Sequence, residues 1–144
     1  MIAAYMAHPL GAGAQRELNN ANALRWFGWL SQSFHVAVSA NWLLLASVWP
    51  ETAEYRARAL EIDLELVSRC DEIWLVGGRV SEGMALERAH AARLGKRIVD
   101  LTPLGYEPPI WSYQENAEFK QLVEELFERS YAANENNERE SGTC

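Results

Sequence analysis

The chain has 144 residues, a length that suits one compact domain with one hydrophobic core. Apolar residues make up 49% and charged residues 23%, which excludes a disordered chain, a collagen-like repeat and a disulfide scaffold. The formal net charge of -7 argues against binding to a nucleic-acid polymer, because neutralising many phosphates requires a basic face. A small anionic ligand is compatible with this charge, since one helix N-terminus can bind a phosphate.

We expect no targeting or membrane segment in the sequence. The apolar N-terminus contains no basic residue and ends at Pro9, too early for a signal peptide. The longest other apolar run, Trp42 to Ala46, is far shorter than the ~20 residues of a membrane span. The two cysteines, Cys70 and Cys144, show no metal-ligand spacing and favour a reducing, cytoplasmic compartment.

Short β-like runs alternate with longer helical runs along the chain. The elements predicted in chain order are strand Ile2–Ala7, helix Ala14–Leu30, strand Phe34–Ser39, helix Pro50–Arg69, strand Glu72–Gly77, helix Ser81–Leu94, strand Arg97–Leu101, a short fifth strand Ile110–Tyr113 and helix Glu115–Tyr131. Residues 40–49 are apolar but show no period, so no element is assigned to them. The polar residues 132–144 are predicted to be a disordered tail, which leaves residues 1–131 as the domain.

The spacing of apolar residues predicts which face each of the first two helices buries. The first helix is expected to bury Leu18, Ala21, Leu24 and Phe27. In the second helix Asp63 falls inside the apolar stripe, close to Ala59 and Leu66. A carboxylate there needs a partner or a shifted pKa, unless it lies at the edge of the stripe and reaches water. The pattern leaves both interpretations of Asp63 open.

Alternating strands and helices of these lengths predict βαβ units and a parallel sheet of four to five strands with helices on both faces. The predicted fold is a single-domain α/β, Rossmann or flavodoxin-like three-layer sandwich. Ligands bind such sheets at the carboxyl ends of the strands, where the strand order reverses. That rule selects the loop His8–Gly13, the segment Ser39–Trp42 and the turn Gly77–Gly83. Gly11-Ala12-Gly13 lacks the third glycine of a dinucleotide fingerprint.

The turn that leads from the third strand into the next helix is the most informative candidate for a ligand site. Ser81 is a good N-cap, and Gly83 leaves the first turn bare, so that a ligand can approach the backbone N–H groups. This arrangement suits an anion site at a helix N-terminus, although the simpler interpretation is that Ser81 only caps the helix. Glu87 follows within the helix, where a glutamate is usually solvated.

Other candidate residues carry weaker signals. Tyr5 lies near the end of the first strand, at the level of a site, although a strand tyrosine usually packs in the core. His8 is the only histidine in a candidate ligand loop, and three scattered histidines do not indicate a metal. No Gly-x-Ser-x-Gly elbow or Cys/His pairing supports a hydrolase triad.

The stretch 70–77 (Cys-Asp-Glu-Ile-Trp-Leu-Val-Gly), then 81–84 (Ser-Glu-Gly-Met) and Glu87, resembles the nucleoside 2-deoxyribosyltransferase-like superfamily. The resemblance covers about residues 1–101 and is strongest to small uncharacterised bacterial and phage members. It implies that Glu87 is the nucleophile and that Asp63 and Tyr5 belong to the site. Such enzymes need no metal or organic cofactor, and members of the superfamily are commonly homodimers or larger.

The resemblance also bears on the substrate. Ser81 stands where free-nucleoside transferases have aspartate and where nucleoside 5′-monophosphate N-glycosidases have a phosphate-contacting serine. It therefore implies a small nucleotide as substrate and N-glycosidic bond hydrolysis, or base exchange, as the reaction. The implied substrate- and phosphate-binding residues are Ser81, Gly83, Met84, His8, Pro9 and Gly11. Trp42 is a candidate for stacking on the base. One departure is that His8-Pro9 stands where the family often has glycine.

Two further hypotheses remain open beside the enzyme. The first is a binding module that senses or sequesters a nucleotide-derived ligand in a phage–host setting, which the His8-Pro9 departure favours. The second is a structural or assembly protein, suggested by the six tryptophans and by the apolar segment 40–49. That segment is also a candidate dimer surface.

Overall fold

A computed structural model of the protein describes residues 1–110, 113 and 115–142. Its elements are β1 (Ile2–Ala7), α1 (Gly13–Ser33), β2 (Val36–Ser39), α2 (Asn41–Val48), α3 (Ala53–Arg69), β3 (Glu72–Leu75), α4 (Glu82–Arg93), β4 (Arg97–Asp100), a 3₁₀ turn (Thr102–Leu104) and α5 (Ala117–Ser141). The strands form one parallel sheet in the order β2-β1-β3-β4. The predicted α/β fold with a parallel sheet is therefore confirmed. None of the described helices is long and apolar enough to cross a membrane.

Helices cover both faces of the sheet. The chain passes from β1 to β2 in one direction and from β2 to β3 in the other, so right-handed crossovers place α1 and α3 on opposite faces. α5 joins α1, and the ring centroids of Phe119 and Trp29 lie 5.7 Å apart. α3 packs against α4, where Ser68 Oγ and His90 Nε2 lie 2.9 Å apart. The result is the three-layer arrangement expected from the sequence.

The two central strands, β1 and β3, fix where a ligand can bind. All four residues of β3 and the last four of β1 are buried, as expected for strands covered on both faces. Tyr5 of β1 lies opposite Ser39 of β2 and Ile73 of β3. The strand order reverses between β1 and β3, so their carboxyl ends border the crevice where doubly wound sheets bind ligands.

The face that α1 buries differs from the predicted face. Leu18 and Leu24 are 69% and 62% exposed, Ala21 is exposed as well, and only Phe27 of the predicted set is even partly buried. The buried residues are Asn19, Asn22, Ala23, Trp26, Trp29, Leu30 and Ser33. Two asparagines lie in this stripe because their amides donate hydrogen bonds to loops of the protein, a compensation that a hydrophobicity pattern does not reveal.

Two boundaries around α2 and α3 also differ from the sequence prediction. The unassigned segment 40–49 contains the short helix α2, which buries Trp42 and Leu43. α3 begins at Ala53 rather than Pro50, because Thr52 is its N-cap and accepts a hydrogen bond from Tyr55 N at 3.2 Å.

The C-terminal prediction needs correction. α5 continues to Ser141, so residues 132–141 are helical rather than a disordered tail. These residues contain neither glycine nor proline before Gly142, so nothing in them interrupts a helix that has already begun. The fifth strand expected at Ile110–Tyr113 is not found at the described residues 110 and 113, and residues 111 and 112 lie outside the described part of the chain.

Candidate active site

A cavity of about 640 Å³ opens beside the carboxyl ends of β1 and β3. Its walls come from the loop after β1, from α2 and its connection to α3, and from the start of α4. Most residues singled out in the sequence line it: His8, Gly11, Trp42, Asp63, Ser81, Gly83, Met84 and Glu87. Tyr5 and Pro9 are buried beside it without lining it.

Three groups from distant parts of the chain meet at the floor of this cavity, and we call them the acid cluster: Tyr5, Asp63 and Glu87. The Tyr5 hydroxyl donates a hydrogen bond to Glu87 Oε1 at 2.7 Å. Tyr5 is fully buried, and Asp63 and Glu87 are only 7% and 8% exposed. Asp63 is therefore not a solvated residue at the edge of its helical stripe. Its Oδ1 atom is buried and has no hydrogen-bond partner among the described residues.

Burial changes the acidity of all three groups. It raises the pKa of Asp63 to about 7, and interaction with the Tyr5 hydroxyl opposes that rise. Burial also raises the pKa of Glu87 to about 8, opposed by the hydrogen bond from Tyr5 and reinforced by the charge of Asp63. Burial and the two carboxylates raise the pKa of Tyr5, so its hydroxyl remains a donor. Near neutral pH, Asp63 and Glu87 together therefore carry less than two negative charges, and this pair can both donate and accept a proton.

The N-terminus of α4 faces the same cavity. Ser81 is its N-cap, and Ser81 Oγ accepts a hydrogen bond from Met84 N at 3.3 Å, so the predicted cap is confirmed. A Cβ atom placed on Gly83 would have no neighbour within 4 Å, which leaves the first turn open. Glu82 also lines the cavity, and its negative charge disfavours an anion there.

His8 is held as a neutral ring. Asn22 Nδ2 donates to Tyr106 O at 2.7 Å and contacts His8 Nε2 at 2.8 Å, so Nε2 acts as an acceptor. The proton then lies on Nδ1, which donates to Pro9 O at 2.6 Å. Burial lowers the pKa of His8 to about 4. Because both ring nitrogens are already used, only the carbon edge or face of His8 is free to contact a ligand.

The bulky His8-Pro9 pair fits because of a glycine opposite it. Gly77 has φ +92°, and a Cβ atom there would lie 2.7 Å from His8 Cδ2 and 2.8 Å from Pro9 Cδ. No side chain fits at position 77 while His8-Pro9 occupies the turn after β1. The turn after β3 therefore accommodates the bulky His8-Pro9 pair.

Trp42 is less available for stacking than the sequence suggested. It is 7% exposed, and its indole Nε1 donates to Met6 O at 2.8 Å. Its ring is stacked against His8 with 6.4 Å between centroids and 21° between planes. Only a small part of Trp42 therefore reaches the cavity.

Sequence reasoning missed the arginines of the cavity wall, Arg16, Arg56 and Arg79. Arg79 lies within the turn that the sequence singled out, two residues before the Ser81 cap, and a basic residue there was an available signal. No group of three or more metal-ligating side chains occurs in the part of the chain that the structure describes.

A model of the family described as a domain of unknown function (DUF7768) matches residues 3–101, more than half of the chain. The chain belongs to this family. No curated protein matches the chain. The DUF7768 region contains the whole acid cluster and the capped start of α4, and it ends before the loop of Tyr106 and before α5. Every residue that lines the cavity therefore lies within the family region.

Proposed function

We propose that the protein cleaves the N-glycosidic bond of a nucleoside 5′-monophosphate, or transfers its sugar to another base, with Glu87 as the nucleophile. The observation that carries the proposal is the 2.7 Å hydrogen bond from the Tyr5 hydroxyl to Glu87 Oε1, at a cavity that Asp63 also lines. This bond holds one carboxylate oxygen and leaves the other free to attack. The resemblance to nucleotide N-glycosidases supports the same assignment.

In the first step, the free carboxylate oxygen of Glu87 bonds to the anomeric carbon while the bond from that carbon to the base nitrogen breaks. The electron pair leaves with the base, and Asp63 protonates the base nitrogen. A raised pKa suits Asp63 to this role, because the group must hold a proton near neutral pH and then release it.

In the second step, water attacks the anomeric carbon of the glycosyl ester and gives its proton to the Asp63 carboxylate. The ester bond breaks, sugar phosphate leaves, and Glu87 is a carboxylate again. Two successive displacements retain the configuration at the anomeric carbon. No atom of this scheme requires a redox change.

A second candidate function is a binding module that senses or sequesters a nucleotide-derived ligand, for example between a phage and its host. The raised pKa of Glu87 favours it, because a carboxyl group with a pKa of about 8 is mostly protonated at pH 7 and is then a poor nucleophile. The enzyme hypothesis requires the positive charge that develops on the sugar to stabilise the ionised form of Glu87.

Incubation of the protein with a panel of nucleoside 5′-monophosphates, with free base read by chromatography, separates the two candidates. The enzyme hypothesis expects release of base from at least one ribo- or deoxyribonucleotide, with a rate that peaks between the pKa values of about 7 for Asp63 and about 8 for Glu87. The rate should fall at lower pH because Glu87 is protonated, and at higher pH because Asp63 has lost the proton that it must donate. Binding without release from any nucleotide across that pH range would favour the binding module.

The proposal includes a cytoplasmic location, which the two cysteines favour, and a homodimer or larger assembly, which the resemblance implies. Cys70 is a free buried thiol, which is compatible with a reducing compartment. Sedimentation equilibrium of the purified protein checks the assembly, and a monomer at micromolar concentration would contradict that part.

A further inference from the structure

The arginines that line the cavity differ in how their charge is used. Arg56 pairs with Glu51 at 3.3 Å, and Arg16 donates to Ala46 O at 3.2 Å. Arg79 makes no ion pair and no hydrogen bond with any residue that the structure describes. A guanidinium that lines a cavity and has no partner among the described residues can bind an anionic ligand.

The backbone holds Arg79 beside the start of α4. Gly77 and Gly78 precede it with φ values of +92° and +81°. A Cβ atom on Gly78 would lie 2.8 Å from Tyr106 N, so the loop after β4 lies directly against this turn. Two residues after Arg79, Ser81 caps α4. Arg79 and the residues of the first turn of α4 therefore line the same cavity.

One further observation favours an anion at this end, and a second indicates that the cavity holds a ligand. The N-terminus of α4 carries partial positive charge, and Gly83 leaves it open to the cavity. Independently, Asp63 is more than nine-tenths buried and lines the same cavity, and its Oδ1 atom has no partner within the described part of the chain. This indicates that a ligand completes the site. Glu82 opposes an anion, so a cation beside it is needed to offset its charge.

We propose that Arg79, together with the first-turn N–H groups of α4, binds the 5′-phosphate and thereby makes the site select nucleotides over nucleosides. This inference rests on the proposed function for the identity of the ligand, since the phosphate is the anion that such a substrate carries. A guanidinium binds phosphate through two parallel hydrogen bonds, which a lysine cannot reproduce.

The test uses ribose 5-phosphate, which carries the phosphate without any base, and ribose as the uncharged counterpart. Binding to the full-length protein is measured by calorimetry at low ionic strength, where surface charges are least screened. We expect Arg79→Ala to weaken ribose 5-phosphate binding by about ten-fold or more and Arg79→Lys to weaken it less. Arg88→Ala, at an exposed position on α4 outside the cavity, is the matched control and should bind as the wild type does.

Glu82→Gln gives a second, opposite measurement. Removing this negative charge should tighten ribose 5-phosphate binding by about two- to five-fold without affecting ribose. Wild-type affinity in both Arg79 variants would overturn the inference, and so would a wild type that does not bind ribose 5-phosphate.

The test also separates this inference from the proposed reaction. If ribose 5-phosphate binds through Arg79 and no nucleotide releases its base, the glycosidase fails and the anion site stands. If base is released and Arg79→Ala leaves the preference for monophosphate over nucleoside unchanged, the reaction stands and the role of Arg79 is refuted.

Discussion

The molecule contains two buried polar clusters, whose members Tyr5 and His8 lie three positions apart in the sequence. The clusters differ in where the hydrogen-bond partners of their polar groups come from. The cluster on α1 joins Asn22, His8, Trp26 and Tyr106 through hydrogen bonds of 2.6–2.8 Å. The acid cluster of Tyr5, Asp63 and Glu87 has one internal hydrogen bond, raised pKa values and an unpaired Asp63 oxygen. The described residues supply almost every partner in the first cluster, where Asn22 Oδ1 is the one buried side-chain atom left without a partner among them. The second borders a cavity.

This difference indicates that the polar groups of the first cluster stabilise the fold, whereas those of the acid cluster serve a function. Polar groups are buried at little net cost when their partners lie in the same chain. Carboxyl groups that are buried without partners weaken the fold whenever they ionise, so their presence indicates a use outside stability. Three of the predictions below change one of the two clusters and measure activity, ligand binding or stability, and a fourth changes Ser81, which lies outside both.

The largest effect is expected at Glu87. Glu87→Gln should lower base release by about 1000-fold or more, because an amide cannot form the glycosyl ester. Ligand affinity should stay within a few-fold, since the nucleophile acts mainly in the transition state. Chromatography of the released base and calorimetry of ligand binding check the two parts. Glu128→Gln, at an exposed position in the middle of α5, is the control and should behave as the wild type.

The acid cluster should also make stability depend on pH. The pKa values of Asp63 and Glu87 are raised in the folded state, so the native protein binds more protons than the unfolded chain between about pH 4 and pH 8. The free energy of unfolding should therefore be greatest at the acidic end of that range and fall as pH rises through about 8. Glu87→Gln removes one of these groups and should exceed the wild type by about 3 kcal/mol at pH 9.

Urea denaturation at pH 5 and pH 9 checks this prediction. Glu128→Gln again serves as the control, because it removes an exposed carboxyl group far from either end of α5. A wild type whose stability does not fall between these two pH values would mean that neither carboxyl is buried in the way described.

A substitution in the cluster on α1 should affect stability rather than activity. Asn22→Ala removes the donor to His8 Nε2 and to Tyr106 O, and should lower the free energy of unfolding by about 2 kcal/mol. The kcat for base release should change little, because Asn22 does not line the cavity. Gln32→Ala, on an exposed face of the same helix, is the matched control for urea denaturation. A large loss of kcat with unchanged stability would show that Asn22 serves the reaction rather than the stability of the fold.

The smallest effect is expected at Ser81, which belongs to neither cluster. Ser81→Ala removes the N-cap of α4 and should cost about 1 kcal/mol of stability. If Ser81 also contacts phosphate, the variant should lose affinity for a nucleoside monophosphate much more than for the free nucleoside. Equal losses for both ligands would show that Ser81 is only a cap.

Much of the fold follows from the sequence because strand–helix alternation is a strong pattern. The bounds of β1 are as predicted, and β3, α4 and β4 lie within a residue or two of prediction. The buried face of α1 was not predictable from hydrophobicity, because Asn19 and Asn22 are buried through partners in distant loops. The end of α5 was missed because a polar helix and a polar tail have similar compositions.

The candidate site was predictable only in part, for a related reason. Asp63 attracted attention because a carboxylate interrupted an apolar stripe, a conflict that is visible in one sequence. Tyr5 and Glu87 were singled out as a pair only through the resemblance, since no local pattern relates residues 82 positions apart. Arg79 was missed although its place two residues before the Ser81 cap is visible in the sequence. That it has no partner among the described residues is visible only in three dimensions.

The covalent intermediate tests the central claim most directly. Wild-type protein is mixed with the nucleotide that releases base fastest, quenched in acid within milliseconds, and analysed by intact mass and peptide mapping. The account predicts an increase equal to the mass of one sugar phosphate residue, located on the peptide that contains Glu87 and absent from Glu87→Gln. An adduct on another residue, or undiminished base release by Glu87→Gln, would contradict it.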